Sequence, residues 1–471
     1  MASSLLQDHA VKWPLLVPPP QGIDDNGFCQ VHERVTSQCP QMSFTTQDLV
    51  ASLAGYRAIH CCRASHRRCC VSGQLQEYCR RTKVHEARKP EVISSAQREV
   101  IITQETFIGG KGYGFERHDV TTEDGYIIQI HRIPHGMKTC NETSKPVVFL
   151  MTGLLGDSTS YVLDFANQCV GFFLADNCYD VWIGNYRGTT LYGKRHVNEA
   201  FQNSREFWDF TFHQQGIYDL TAEIDYVLQE TGRSKLFFVG ISLGPAVLMV
   251  MMSERPDYNN KIMAATFLAP VYNLAHVTLP FLALTFPVGE EFLTGMYYAG
   301  VREFLPKNMP IIKLASFACQ DPGSFICALL LEYAANMESK YVNRTRTPVY
   351  VCQYPAGTST LHIIHLYQIG KRKKFQTFDC TYIRPSSTDC SPPRPYDISK
   401  TQVDVGVFYS DGDQFATPPD VESLMAELGD RIKFVRHIRD PEFGHFNFAT
   451  AAFIHESYIL KPMLEFLRRY S

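Results

Sequence analysis

Five residues near the middle of the chain have the types and spacing of a nucleophile turn: Gly240-Ile241-Ser242-Leu243-Gly244. A serine raised on a sharp strand-to-helix turn needs small residues two before and two after it. Larger side chains collide where the backbone doubles back. The turn exposes the hydroxyl at a helix N-terminus, where the next backbone N–H can meet an oxyanion. The flanks agree, with LFFV before and PAVLMVMM after. The competing reading of the same pentapeptide is an ordinary structural turn.

A serine hydroxyl is a weak nucleophile without a base, and the base needs an orienting carboxylate. On a strand–turn–helix scaffold of this kind the chain order is Ser, then Asp or Glu, then His. The apolar run Val405–Tyr409 leads into Ser410-Asp411-Gly412-Asp413, which offers two acids. The run Phe434–Ile438 leads to Arg439-Asp440-Pro441-Glu442-Phe443-Gly444-His445, a histidine in a loop. His437 competes as the base, but it lies inside the strand. Asp411 competes with Asp413 as the acid.

The elements that must position these residues are visible as short apolar runs. Val147–Met151, Tyr179–Gly184 and Leu236–Gly240 read as buried strands. Helices are predicted over Tyr218–Glu230 and Pro245–Met252. Strand, helix, strand repeated in this way predicts an α/β fold with a mainly parallel sheet covered on both faces. Residues from about 273 to 397 interrupt that rhythm with aromatics, prolines and cysteines, and read as an inserted cap.

The whole chain has 471 residues, 45% of them hydrophobic and 20% charged, which describes a globular protein with a large core. Net charge is −3, so no overall basic field recruits nucleic acid. Residues 57–89 are the exception, with nine Lys/Arg, two Glu and five of the fifteen cysteines: Cys61, Cys62, Cys69, Cys70 and Cys79. They belong to an extension, residues 1–95, that shows no apolar period. The cysteine spacing fits no CxxC zinc pair, and a metal or disulfide knot stands against a poorly ordered extension. The longest uncharged run, Ile262–Gly289, contains Pro270, Pro280, Pro287, Asn273 and His276. It reads as a strand leading into an apolar loop, and no transmembrane segment is predicted. Met1–Pro20 has no basic region followed by an apolar core, so no signal peptide is readable there.

From about residue 96 the chain resembles the acid lipase family of gastric and lysosomal acid lipases, within the α/β-hydrolase superfamily. The resemblance rests on residues 118–126 (HDVTTEDGY), 181–188 (VWIGNYRG), 206–212 (EFWDFTF) with 218–220 (YDL), and 354–359 (YPAGTS). It implies Ser242 as nucleophile and His445 as base. Asp413 becomes the acid, because Asp413-Gln-Phe-Ala followed by Pro419-Asp420-Val421 resembles the family's D-x-L-A…P-x-D-V; Asp411 remains the alternative. The backbone N–H groups of Leu154 and Leu243 fall on the oxyanion positions. Cys319 and Cys327 fall on a cap disulfide, and Cys380 with Cys390 offers a further pair. Two departures stand beside the site: Thr152 where the family's H-G-L-L has His, and Ile241 where its G-H-S-x-G has His.

The expectation is an α/β-hydrolase domain over 96–471 with a cap at about 273–397. Its activity would be hydrolysis of fatty-acyl esters, such as acylglycerols or steryl esters, through an acyl-enzyme. No metal or organic cofactor is required. The substrate would be met at a micelle or membrane interface, with Phe281, Phe286, Phe292, Tyr297 and Tyr298 either lining a lid or simply packing the cap. The alternative, motivated by Thr152 and Ile241, is a lipid-binding or carrier protein with impaired catalysis. Cysteine content, the resemblance and sequons at Asn141 and Asn343 point to the secretory pathway, secreted or lysosomal.

Overall fold

The computed structural model describes residues 104–471, except 139, 141–144, 308–309, 311–317, 320–323, 343–345, 382, 384–390 and 452–455. The extension 1–95, both sequon asparagines (Asn141 and Asn343) and Cys390 therefore lie outside the described residues. The compact unit that carries the fold spans Ile102–Ser471.

Strands among the described residues are β1 (Glu116–Thr121), β2 (Tyr126–Ile133), β3 (Val147–Met151), β4 (Asp180–Ile183), β5 (Arg195–His196), β6 (Leu236–Ile241) and β7 (Ile262–Leu268), followed by β8 (Glu303–Phe304), β9 (Thr358–Ser359), β10 (Val405–Ser410) and β11 (Ile432–Ile438). Nine of them form one sheet in the order β1-β2-β4-β3-β6-β7-β10-β11, with β5 paired to β2. From β4 to β11 every pairing is parallel. β1, β2 and β5 add an antiparallel margin. The difference is written in the residues. VVFLM, DVWI and LFFVGI are buried at every position, so both faces of β3, β4 and β6 are covered. β1 reads ERHDVT and is buried only at Val120, as an edge strand must be.

Helices α1 (Val170–Asp176), α2 (Leu220–Thr231) and α3 (Leu243–Glu254) connect the central strands. α3 is apolar on every side, LGPAVLMVMMSE, and all but Glu254 are buried. A helix without a polar face belongs in the interior. α2 stops at Gly232, whose φ of +65° lets its N–H and that of Arg233 close back onto the last turn.

The insertion contains α4 (Pro280–Thr285), α5 (Gly289–Tyr298), α6 (Ser324–Ala335), α7 (Thr347–Gln353) and α8 (Thr360–Arg372), with β8 paired to β9. It has a small core of its own, in which Leu293 and Tyr297 of α5 meet Leu361, Ile364 and Tyr367 of α8. The uncharged run Ile262–Gly289 leaves β7 through a loop, as expected, and then enters helix α4, because Pro280 is pre-shaped for a helix's first turn. The cap aromatics divide. Tyr297 and Phe286 pack inward, whereas Phe281, Phe292 and Tyr298 stay exposed. Among the described residues no helix is long and apolar enough to cross a membrane.

Three of the stretches that carried the family resemblance meet in one ion cluster built on a buried arginine and a buried aspartate. Arg187, 1% exposed, donates from Nε to Asp219 at 2.6 Å and from both terminal nitrogens to Asp124 at 2.6 and 2.8 Å. Its guanidinium also lies 3.9 Å from the Tyr126 ring centroid. The cluster ties the β1–β2 hairpin to the loop after β4 and to the start of α2. Removing one partner of a buried ion pair strands the other, which typically costs about 3–5 kcal/mol. Arg187→Met should therefore lower the unfolding free energy by roughly that amount, read as a lower urea midpoint. Arg187→Lys should recover little of it, because an ammonium cannot serve both carboxylates with a planar fork.

Candidate active site

The strand order reverses at β3, which lies between β4 and β6. Connections leave such a point in opposite directions and open a crevice beyond the carboxyl ends of the strands. Thr152-Gly153-Leu154 emerges there from β3, and Ser242 from β6. Ser242 takes φ +58° and ψ −105°, a conformation that a residue with a Cβ adopts only under constraint. Its N–H donates to the Leu268 carbonyl at 2.9 Å, and its own carbonyl accepts from Val271 N–H at 2.9 Å. Glycines make room for the turn. A Cβ on Gly244 would lie 2.6 Å from the Met151 carbonyl oxygen, and one on Gly240 would lie 2.9 Å from the Pro245 ring. A Cβ on Gly153 would meet that of Ser242 at 2.9 Å.

Asp413 follows β10 and His445 follows β11. The structure brings both to Ser242. Asp413 Oδ2 lies 2.8 Å from His445 Nδ1, and His445 Nε2 lies 2.8 Å from Ser242 Oγ. A carboxylate only accepts, so Nδ1 carries the proton and Nε2 is left to accept from the serine hydroxyl. The other carboxylate oxygen, Oδ1, accepts from the backbone N–H groups of Phe415 and Ala416 at 2.8 and 2.7 Å. Asp413 is fully buried while Ser242 keeps 9% of its surface. The carboxylate is thus shielded and oriented, and the hydroxyl is reachable.

The competing acid and base are elsewhere, and they satisfy each other. Asp411 Oδ1 accepts from His437 Nε2 at 2.5 Å, and the His437 ring stacks on Tyr409. Neither is among the residues that line the pocket at Ser242. Leu154 lines a pocket with Gly153, Ile241, Ser242, Tyr354, His445, Phe446 and Ala449. Leu243 opens helix α3, where first-turn N–H groups have no partner within the helix.

The model for the α/β hydrolase fold matches residues 146–452, and that for a partial α/β-hydrolase lipase region matches 105–165. The gastric triacylglycerol lipase of Bos taurus is 34% identical over 344 residues, covering 72% of this chain and 85% of that protein. The lysosomal acid lipase/cholesteryl ester hydrolase of Homo sapiens is 33% identical, covering 72% and 84%. The chain belongs to the acid lipase family. Lipase member M of Mus musculus is also similar, 31% identical over 75% of this chain and 83% of its own length.

The two departures from the acid lipase pattern leave the site intact. Thr152 is fully buried, and its Oγ1 lies 2.7 Å from Ser160 Oγ. Ser160 donates its proton to the Asp157 carbonyl and accepts from Tyr354 OH at 2.6 Å, so Thr152 is the donor of that pair. Ile241 is 7% exposed and adds an apolar wall to the pocket. Neither substitution strands a polar group beside Ser242.

Cys319 and Cys327 form a disulfide in the cap, and Cys380 is disulfide-bonded as well. A further disulfide, Cys140–Cys178, closes 38 residues around β3 and α1. It went unread in the sequence, since no spacing rule pairs two cysteines so far apart. Tyr354, Phe446 and Ala449 were also missed as pocket residues; only the fold carries the cap loop of Tyr354 to the serine.

The turn's tightest contact is with backbone, so it offers a sharp test. Gly244→Ala drives a methyl into the Met151 carbonyl, just before the Gly153–Leu154 loop. Ester hydrolysis should fall about 100-fold, as expected when reacting groups shift by ~1 Å. Steady-state kinetics on a soluble ester, beside near-ultraviolet circular dichroism, would check it; a rate within about twofold of wild type would contradict the account.

Proposed function

We propose that the protein hydrolyses fatty-acyl esters with Ser242 as nucleophile, His445 as general base and acid, and Asp413 as the carboxylate that orients the imidazole. Membership of the lipase family makes it a carboxylic ester hydrolase. The observation that carries the residue roles is the unbroken chain Asp413–His445–Ser242, with 2.8 Å at both links.

In this reading the ester carbonyl sits against Ser242 with its oxygen toward the backbone N–H groups of Leu154 and Leu243. His445 Nε2 takes the hydroxyl proton as Oγ attacks, and Asp413 stabilises the imidazolium. The tetrahedral intermediate collapses, the imidazolium gives its proton to the departing alkoxide, and an acyl-serine remains. Water then enters and attacks as His445 takes its proton, and the imidazolium returns that proton to Ser242 Oγ as the fatty acid leaves. The proton count closes without a metal or organic cofactor.

The lipid character of the substrate is supported by the cap surface and by the relatives' names. Phe281 and Leu284 of α4, Phe292 of α5, and Ile326, Leu330 and Tyr333 of α6 are each more than half exposed. That is a large apolar area for a soluble surface and suits contact with a micelle or membrane. Two of the relatives named above are a triacylglycerol lipase and a lysosomal acid lipase/cholesteryl ester hydrolase.

A serine-directed phosphonate tests the roles. Wild type should be labelled at Ser242, and His445→Ala or Asp413→Asn should slow labelling by about 1,000-fold or more. His437→Ala and Asp411→Asn should label like wild type. Labelling that survives His445→Ala but fails in His437→Ala would overturn the assignment.

We also place the chain in the secretory pathway, supported by the Cys140–Cys178 and Cys319–Cys327 disulfides and by gastric and lysosomal relatives. On this reading residues 96–471, expressed behind a surrogate signal peptide, should be secreted, glycosylated at Asn343 and active. Aggregation of that fragment beside a secreted, active full chain would make residues 1–95 part of the folding unit.

A further inference from the structure

Asn336 follows helix α6 inside the cap insertion, with φ +49° and 9% exposure. Its side-chain oxygen accepts two backbone N–H groups, both from catalytic loops. One is Gln414 N, next to Asp413, at 2.9 Å; the other is His445 N itself, at 2.9 Å. The Asn336 carbonyl accepts from Phe446 N at 3.3 Å, on the other side of the histidine. Gly444 allows the approach, since a Cβ there would lie 2.1 Å from the Asn336 carbonyl oxygen.

The entrance of the same insertion holds the other end of the Gln414 residue. Thr278 and Leu279 both donate their N–H to the Gln414 carbonyl, at 2.9 and 3.1 Å. The residue after the acid is therefore gripped by the cap at its N–H and at its C=O. The base is fixed by the oxygen that grips the acid loop. Asparagine suits the post: it tolerates a positive φ after a helix, and its oxygen has two lone pairs, one for each N–H.

We infer that Asn336 is a positioning residue for the hydrolytic triad, whose amide oxygen sets the spacing of the Asp413 and His445 loops, so that the cap holds acid and base in register. The inference rests on the triad reading above. It differs from a general stabilising role because both bonds end on backbone adjoining the reacting groups, where small displacements reach the Nε2–Oγ contact directly.

Asn336→Gly keeps the left-handed backbone and deletes the acceptor, whereas Asn336→Asp restores an acceptor of the same shape. The full chain should show kcat lowered roughly 10- to 100-fold in N336G with KM within about twofold of wild type, and most of kcat recovered in N336D. Asn336→Gln, which moves the oxygen out by one methylene, should also lower kcat at constant KM, and it decides the matter if N336G fails to fold. A kcat within about twofold of wild type in folded N336G or N336Q overturns the inference. So does N336D no better than N336G. Ser242→Ala is assayed alongside: if it hydrolyses esters like wild type, the triad reading falls and this inference with it; if it is inactive, the Asn336 variants are read on their own.

Discussion

Ser242 is held at φ +58° by its surroundings, and most of the molecule can be understood as what holds it there. A left-handed serine costs on the order of 1–3 kcal/mol, so the turn persists only where neighbouring structure over-determines it. Its N–H and C=O are tied to the segment at the end of β7, at Leu268 and Val271. Gly153, Gly240 and Gly244 give up side chains so that β3, β6 and α3 can close around it. β6 runs in the middle of the sheet between β3 and β7, and α3 is buried along its length. A turn anchored between a central strand and an interior helix has little freedom to relax.

Asp413 and His445 need a different kind of support, because they arrive on loops. Gly412 lies against Pro441 and Phe443, where a Cβ would come within 2.7 Å of backbone, so the acid turn and the histidine loop abut. Ser410 Oγ donates to the Phe443 carbonyl at 2.6 Å and reinforces that contact. The cap then closes over both through Asn336. Insertion and sheet are thus bound beside Ser242 and His445, while the cap also carries apolar residues that face solvent.

The central strands and the tight turn at Ser242 were legible because each rests on local pattern. Val147–Met151 is a strand in sequence and structure alike, since its five apolar residues are all buried. The antiparallel margin was less legible, because ERHDVT looks polar until it is seen pairing with β2. Spacing left Asp411 and Asp413 open; the family resemblance favoured Asp413, and it is Asp413 whose side chain reaches His445 Nδ1. Asn336 carried almost no signal, since an asparagine after a helix reads only as a helix stop. Its partners lie 78 and 109 residues away. The quoted family stretches posed the reverse problem. Their Asp124, Arg187 and Asp219 were recognisable, yet they build an ion cluster and take no part in the chemistry described here.

The central claim is that acyl transfer passes through Ser242. It is tested most directly by acid-quenching the full chain during turnover of a long-chain ester and locating the acyl group by peptide mass spectrometry. The account predicts one acyl adduct, on the peptide that contains Ser242, appearing before steady state and disappearing once substrate is exhausted. Sustained ester turnover with no adduct on that peptide, or with the acyl group on another residue, would contradict it.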